Sequence, residues 1–260
     1  MELSGQVYVF LQYCHYFLDK VDQHSLHSPF LYQCYTGLLR HRNDPTSVDE
    51  RLEAIRKKWL KEKVSYPWVE KGAGSHYKGK KTVSSICRFS NSPLKYNLLY
   101  QYFCGLTPGE YVLELGGSLG INTGYLSKSC QGALYSFEAD PHLLRLAKVT
   151  LKDYQKVILV EGDLEEMLPV TLKKLSRVDF AFLDANHTQQ ATLSYFYALL
   201  PKLQENSIVI IGDIYWSKGM TKAWETLRKH PRVSLSLDFF EAGVLFFNPK
   251  LNKENHVLHY

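Results

Sequence analysis

An apolar run that enters a glycine-rich turn lies near the middle of this 260-residue chain. The stretch YVLELGGSLG, residues 111–120, predicts a buried strand, a tight loop and then the start of a helix. Glycines in such a loop let the backbone approach a ligand closely, and the free N–H groups of the helix face the same crevice. The residues placed to bind a ligand there are Glu114, Gly116, Gly117, Ser118 and Gly120.

Three further predicted strands, at 133–137, 157–160 and 178–183, also end at or close to an acidic residue. The acids that follow them are Glu138, Asp163 (after Gly162) and Asp184. In an open α/β sheet, ligands bind beyond the carboxyl ends of the parallel strands. We therefore expect these acids and the glycine loop to line one crevice.

Strand-length apolar runs alternate with helical periodicity from Leu94 onward. A fifth strand is predicted at 208–211, and two more at 233–240 and 244–247 are joined by so short a turn that they must be antiparallel. Alternating strands and helices form a mainly parallel sheet that is covered on both faces. The prediction for residues 91–260 is an α/β, Rossmann-like, seven-stranded and mostly parallel sheet with a C-terminal antiparallel hairpin.

Residues 1–90 lack that alternation and predict a helical N-terminal extension. The segment from Val7 to Leu18 is rich in aromatics and predicts a buried helix. Ser28 and Pro29 suit the cap and the first turn of a second helix. The stretch SVDE, residues 47–50, has the pattern of a capping box ahead of a third.

The charge balance is mildly basic, with 31 Lys and Arg against 26 Asp and Glu, a net charge of +5. This falls short of the footprint of a dedicated nucleic-acid binder. The excess lies within residues 40–81, in runs at 56–58 and 78–81, which we interpret as a solvated helix face. No motif for recognising a target base accompanies this stretch, so a nucleic-acid partner is not expected.

The five cysteines are scattered and form no CxxC pair, which argues against both a disulfide framework and a zinc site. They are Cys14, Cys34, Cys87, Cys104 and Cys130. No signal-peptide pattern and no apolar run near the ~20 residues of a membrane span is apparent. We expect a cytoplasmic protein without a membrane partner.

The glycine loop resembles the first motif of class I S-adenosylmethionine (SAM) methyltransferases, with Ser118 where many members have glycine. The G-x-G-x-x-G of a nicotinamide oxidoreductase fails at Ser118. SAM carries a ribose diol and an amino group, both of which carboxylates can bind. The resemblance implies ribose binding by Glu138 and adenine binding by Gly162 and Asp163. It also implies that Glu114 and the loop from Gly116 to Gly120 hold the methionine portion, with Asp184 near the amino group or the reacting centre.

The stretches DANH (184–187) and GDIYW (212–216) are similar to catechol- and caffeoyl-CoA-type O-methyltransferases. Those enzymes bind a divalent metal through an Asp after strand four and an Asp-Asn pair after strand five. Here Gly212 takes the Asp position and Asp213 the Asn position, so one ligand is missing. We expect no metal, although Asp184, Asp213 and waters could still offer oxygen ligands.

His187 is the expected catalytic base for a hydroxyl acceptor, since histidine titrates in the useful range. Asp184 would orient the imidazole or stabilise its charge. The alternative is that His187 is a helix-entry residue beside the Thr188 cap. His27 and His76 are interpreted as structural.

The phrases ELGGSLGINTGYLS, FLDANHT and DIYWSKGMTKAWE, with HSPF and GAGS nearer the N-terminus, resemble a bacterial group of class I methyltransferases without an assigned acceptor. The resemblance implies SAM-dependent methyl transfer to a small molecule, at oxygen, with the N-terminal helices acting as a lid. A homodimer is one arrangement open to such a protein. The alternative is a non-catalytic SAM-binding or scaffold protein of the same fold.

Overall fold

The computed structural model describes residues 5–66 and 81–260. Predicted features at GAGS (72–75), at His76 and at the basic residues 78–80 lie outside this range.

Within the described residues the chain forms ten α-helices, three 3-10 helices and ten strands. The α-helices are α1 (Gly5–Asp19), α2 (Pro29–Asn43), α3 (Glu50–Trp59), α4 (Val83–Phe89), α5 (Leu94–Gly105), α6 (Ile121–Ser129), α7 (Pro141–Thr150), α8 (Leu164–Lys174), α9 (Gln189–Leu199) and α10 (Lys218–Arg228). The strands are β1 (Ser65–Tyr66), β2 (Lys81–Thr82), β3 (Tyr111–Leu115), β4 (Ala133–Glu138), β5 (Val157–Glu161), β6 (Val178–Leu183), β7 (Leu203–Gly212), β8 (Leu235–Asp238), β9 (Ala242–Phe246) and β10 (Glu254–Val257). The 3-10 helices are Gln23–Ser25, Pro45–Ser47 and Leu200–Lys202.

Eight strands form the central sheet in the order β10-β8-β9-β7-β6-β3-β4-β5, and β1 pairs with β2 separately. Strands β7, β6, β3, β4 and β5 are parallel, whereas β9 runs antiparallel to both β7 and β8. The mostly parallel sheet and the antiparallel hairpin are confirmed. The number of strands is corrected from seven to eight, because β10 adds to β8 in parallel. Its sequence, ENHV, lacks the apolar run that marks the other strands.

Both faces of the sheet are buried, which explains why its central strands are apolar without alternation. On β3, Val112 packs into one core with side chains of α2 and α5. The next residue, Leu113, packs into a second core with side chains of α8, α9 and α10. Helices therefore cover the sheet on both sides and leave the carboxyl ends of the strands for ligands.

The N-terminal extension is helical, as predicted. Two details of the prediction are wrong: the residue that caps α3 and the orientation of the Arg56 side chain. Ser28 caps α2 by accepting from the Leu31 N–H, as predicted. The cap of α3 is Asp49, which accepts from the Leu52 N–H at 3.0 Å, so the predicted capping box at residues 47–50 is wrong. Arg56 of α3 is not outward-facing, because it donates to the Ser92 carbonyl at 2.8 Å and to the buried Asn97 side chain.

Helix α1 lies on the surface, so the prediction of a buried helix is wrong for this segment. Of its residues only Tyr16 is buried. Phe10, Phe17 and Leu18 are 63%, 56% and 79% exposed. Within the described ranges no helix is both long enough and apolar enough to cross a bilayer.

Candidate functional site

Glu114 at the carboxyl end of β3 is a fully buried carboxylate beneath the glycine loop. It accepts hydrogen bonds from Asn122 at 2.8 Å, Thr123 at 2.5 Å and Ser136 at 2.7 Å. Burial raises the pKa of Glu114, and these three donors oppose that rise. The structure therefore does not bring Glu114 to the crevice surface. Glu114 lies beneath the loop, and its part in holding the methionine portion of SAM stays a prediction.

A chain of buried polar contacts joins Glu114 to the N-terminal extension. Asn97 of α5 donates to the Asn122 Oδ1 at 2.9 Å, and Asn122 donates in turn to Glu114. Arg56 of α3 donates to the Asn97 side-chain oxygen. The sequence analysis identified neither asparagine, because each lies on a helix whose sequence pattern predicts only apolar packing.

The glycines of the loop are required by close packing. Gly116 has φ +104°, and a Cβ there would lie 2.4 Å from the Asp184 carbonyl oxygen. A Cβ on Gly117 would lie 2.3 Å from the Ser136 hydroxyl. Gly120 has φ +77° and begins α6 as its cap. The loop thus presses the end of β3 against the end of β6, where Asp184 follows.

Ser118 adopts a left-handed backbone, with φ +47°, at the position where glycine was expected. Its N–H donates to the Glu138 Oε2 at 2.8 Å. Its hydroxyl is buried and has no hydrogen-bond partner in the described part of the chain. A buried hydroxyl costs free energy unless it is paired, so Ser118 offers a ligand one polar contact, which fits the polar groups of SAM.

Glu138 lies beside Gly162 and Asp163 at the neighbouring strand ends. Its second oxygen accepts from the Asp140 N–H at 2.8 Å, and burial raises the pKa of Glu138. Gly162, with φ +129°, donates its N–H to the Glu138 carbonyl at 3.2 Å. Asp163 caps α8 through the Glu165 N–H. A carboxylate offers about four lone-pair sites, so Glu138 retains acceptor capacity for a diol.

Asp184, His187 and Asp213 form a cluster at the ends of β6 and β7. Each offers one ligand atom, and these atoms lie within 4.8 Å of one another. The His187 Nδ1 lies 3.6 Å from the Asp213 Oδ2. His187 and Asp213 both have left-handed backbones, with φ +39° and +54°. The carboxylate in ion-pair contact with His187 is therefore Asp213, whereas the sequence had predicted Asp184. Thr188 caps α9, as expected.

Burial raises the pKa of Asp184 to about 7. The negative charges of Asp213 and Glu114 contribute to that rise, and His187 opposes it. The pKa of Asp213 is also raised by burial, and His187 again opposes the rise. The cluster can therefore hold a proton near neutral pH, or a cation that neutralises the two carboxylates.

The same cluster is where a metal ion could bind. A Cβ on Gly212 would lie 2.3 Å from the Asp184 Oδ1, so an acid at position 212 would displace Asp184. His187 offers a nitrogen in place of the missing oxygen ligand. One imidazole with two carboxylates suits transition metals such as Zn²⁺ better than Mg²⁺. The expectation of no metal stays a prediction.

An aromatic wall borders this cluster, and sequence reasoning missed it. Phe240 has φ +71°, and Tyr215 stacks on its ring with centroids 5.5 Å apart. Tyr13 and Tyr16 of α1 contact the same ring at 5.1 and 5.4 Å. The next residue, Glu241, accepts from the Asp213 N–H at 2.6 Å through its carbonyl. The many aromatic residues of α1 are the sequence feature that could have indicated this wall, although their pattern predicts a buried helix.

Residues 113–214 match a family described as "Methyltransferase domain". A ribosomal RNA small subunit methyltransferase A from Leuconostoc citreum (strain KM20) is 29% identical over 174 residues. That match covers 59% of this chain and only 55% of the relative's length.

Solved structures of methyltransferases share the fold. The O-methyltransferase from Bacillus cereus in complex with SAH has a TM-score of 0.55 and 16% identity, over 76% of this chain and 91% of its own. The SAH-bound Podospora anserina methyltransferase PaMTH1 has a TM-score of 0.56 and 16% identity, over 78% and 88%. At these identities the likeness extends to the fold alone.

Replacing Asp184 by Asn should change how stability depends on pH. In the folded protein the Asp184 pKa is raised from 3.8 to about 7, so between these values only the folded state holds that proton. The stability that the protonated carboxyl contributes is fully present below about pH 4 and is lost as the pH rises through about 7. Asn has no proton to lose. Urea unfolding should therefore show Asp184→Asn gaining more free energy of unfolding over wild type at pH 8 than at pH 5. An equal difference at both pH values would contradict the raised pKa.

Proposed function

Because the chain carries a class I SAM-dependent methyltransferase domain, we propose that it transfers a methyl group from SAM to a hydroxyl oxygen of a small molecule. The observation that carries the proposal is a juxtaposition at one edge of the sheet. The loop with the unpaired Ser118 hydroxyl lies against Asp184, and Asp184 belongs to the cluster with His187 and Asp213. A binding site for a donor and a base for an acceptor thus share one crevice.

The cofactor is bound along the strand ends. Glu138 accepts hydrogen bonds from the ribose hydroxyls, and Gly162 with Asp163 borders the adenine end. Ser118 and the glycine loop hold the methionine portion, and Asp184 takes its amino group or borders the reacting centre. Glu114 acts from beneath by fixing the loop. The position of Glu138 between two backbone N–H groups supports its part, because it fixes the carboxylate.

Bound SAM supplies an electrophilic methyl carbon, and the chain supplies orientation and a base. The attacking oxygen must be held in line with the leaving sulfur, which the walls of a closed crevice favour. His187 takes the hydroxyl proton as the new carbon–oxygen bond forms. Its Nδ1 faces Asp213, so Nε2 is the nitrogen that receives the proton. The carboxylate of Asp213 then stabilises the imidazolium.

In the proposed division of the chain, residues 1–90 form the N-terminal extension and residues 91–260 the catalytic domain, and α1 of the extension acts as a lid on the acceptor side. Contacts of Tyr13 and Tyr16 with Phe240, and a 2.8 Å hydrogen bond from Tyr8 to Thr221, support this role. The five cysteines are free thiols, which is in keeping with a reducing compartment, and we place the protein in the cytoplasm.

RNA is the second candidate acceptor, since the Leuconostoc relative is named as a ribosomal RNA methyltransferase. A third hypothesis is that the protein binds SAM without catalysing methyl transfer. Calorimetry with SAM and with NAD tests the cofactor. Incubation with radiolabelled SAM and either a panel of small hydroxyl compounds or 16S ribosomal RNA then tests the acceptor. Label in a small molecule supports the proposal, whereas label in RNA alone or SAM binding without any transfer contradicts it.

Replacing Glu138 by Ala should weaken SAM binding roughly tenfold to a hundredfold, since a charged hydrogen-bond acceptor contributes ~1.5–3 kcal/mol. The measurement is titration calorimetry with SAM. Glu161 is the matched control, because it lies opposite Glu138 on β5 and its side chain is exposed. Glu161→Ala should leave the affinity near that of wild type. Unchanged affinity in Glu138→Ala would remove the ribose assignment.

Replacing His187 by Ala should lower turnover about 10²–10⁴-fold while SAM affinity stays nearly intact, because general-base assistance is lost. Turnover is measured beside the thermal melting curve, with His24→Ala as the control from an exposed 3-10 helix. If His187 only packs or shapes the helix entry, the variant will melt at a lower temperature and keep its activity per folded molecule.

Exhaustive chelation should leave turnover unchanged. Position 212 carries no side-chain ligand, and the His187 Nδ1 already faces the Asp213 Oδ2 at 3.6 Å. Activity is assayed after EDTA treatment and again after adding Mg²⁺ or Zn²⁺. A loss that either ion restores would mean that Asp184, His187 and Asp213 hold a required metal.

A further inference from the structure

Helix α1 carries a continuous apolar surface on the side that faces away from the protein. We call the residues of this surface the outer stripe: Val7, Phe10, Leu11, Cys14, Phe17 and Leu18. Their spacing of three and four residues places them along one face of the helix. Tyr16, the buried residue of α1, lies on the opposite face, where its hydroxyl donates to the Leu258 carbonyl at 2.7 Å. Helix α1 is therefore apolar on both sides, and only one side is covered within the described structure.

The outer stripe is large for the free surface of a single chain. Phe10, Phe17 and Leu18 are 63%, 56% and 79% exposed, and Val7 and Leu11 are 44% and 40% exposed. Since a large aromatic side chain buries 150–250 Å², the stripe exposes on the order of 500 Å². A continuous patch of this size on a monomer usually marks an interaction site.

We propose that the outer stripe is a dimer interface, and that its partner is the outer stripe of a second copy of this chain. Two stripes together would bury on the order of 1,000 Å², the size that a specific interface should reach. A two-fold axis through the middle of α1 pairs the helices antiparallel, so that each copy offers the same surface to the other.

The composition of α1 favours a second copy over a lipid surface. No Asp, Glu, Lys or Arg occurs between Gly5 and Leu18. Helices that lie on membranes carry a strongly charged polar face that is rich in Lys and Arg, and α1 has neither. Apolar stripes without charge can approach each other closely, because no like charges meet at the two-fold axis.

The interface has a consequence for the crevice, and that consequence rests on the proposed function. The inner side of α1 contacts Phe240 through Tyr13 and Tyr16, and Phe240 stacks with Tyr215 next to Asp213. A dimer that holds α1 in place would therefore also hold one wall of the acceptor side.

Sedimentation equilibrium of the full-length chain tests the interface without an assay of activity, so its outcome is separate from that of the proposed function. Wild type should sediment with twice the mass of one chain. The double variant Phe10→Glu/Phe17→Glu should weaken the dimer at least about a hundredfold, since it brings like charges together. The control is Phe89→Glu, because Phe89 is 80% exposed on α4, outside the stripe. It should remain dimeric, and melting curves should show that all three proteins fold.

Cys14 offers a second, independent measurement. It is half-buried within the stripe, while the other four cysteines are buried. Paired helices lie about 8–10 Å apart, so a short bismaleimide should link the two Cys14 thiols and yield a covalent dimer. Cys14→Ser should abolish the link. A wild type that stays monomeric, a double variant that stays dimeric, or monomers that bind phosphatidylcholine vesicles through the stripe would each overturn the proposal.

Discussion

The buried carboxylate of Glu114 is the constraint on which the arrangement of the crevice depends. An ionised group inside a protein is costly unless hydrogen bonds satisfy it. Asn122, Thr123 and Ser136 provide these bonds, and they come from α6 and β4. To satisfy one charge, the chain must therefore fix the strand before the loop, the helix after it and the neighbouring strand. The glycine loop, residues 116–120, is held between these three elements.

The same charge ties the N-terminal extension to the site. Asn122 can support Glu114 only while its own oxygen is paired, and Asn97 supplies that contact. Asn97 is held in turn by Arg56. A residue fifty-eight positions before Glu114 thus helps to orient it through two asparagines. Because buried polar chains work only when each member is satisfied, the extension is part of the support of Glu114 and the glycine loop.

The succession of strands and helices along the chain, the glycine loop and the acids at the strand ends could be predicted, because each depends on local pattern. The strand predicted at 178–183 coincides with β6, since an apolar run bounded by polar residues carries its own signal. Features that join distant segments could not be predicted. The pairing of His187 with Asp213 joins two loops, the burial of Glu114 depends on partners from other elements, and the exposure of α1 depends on what packs beside it. The sequence pattern of one segment cannot predict these features, because each depends on how two segments of the chain pack together.

The absence of a side chain at Gly212 determines which groups can lie together at the ends of β6 and β7. With a side chain at position 212, Asp184 could not keep its present place, since the Cβ would lie 2.3 Å from its Oδ1. With glycine there, Asp184 lies beside Asp213 and His187. Burial raises the pKa of Asp184 to about 7, and the negative charges of Asp213 and Glu114 add to that rise. His187 opposes the rise in the pKa of both Asp184 and Asp213. The glycine at position 212 therefore leaves room for two carboxylates and one imidazole to lie together at the ends of β6 and β7.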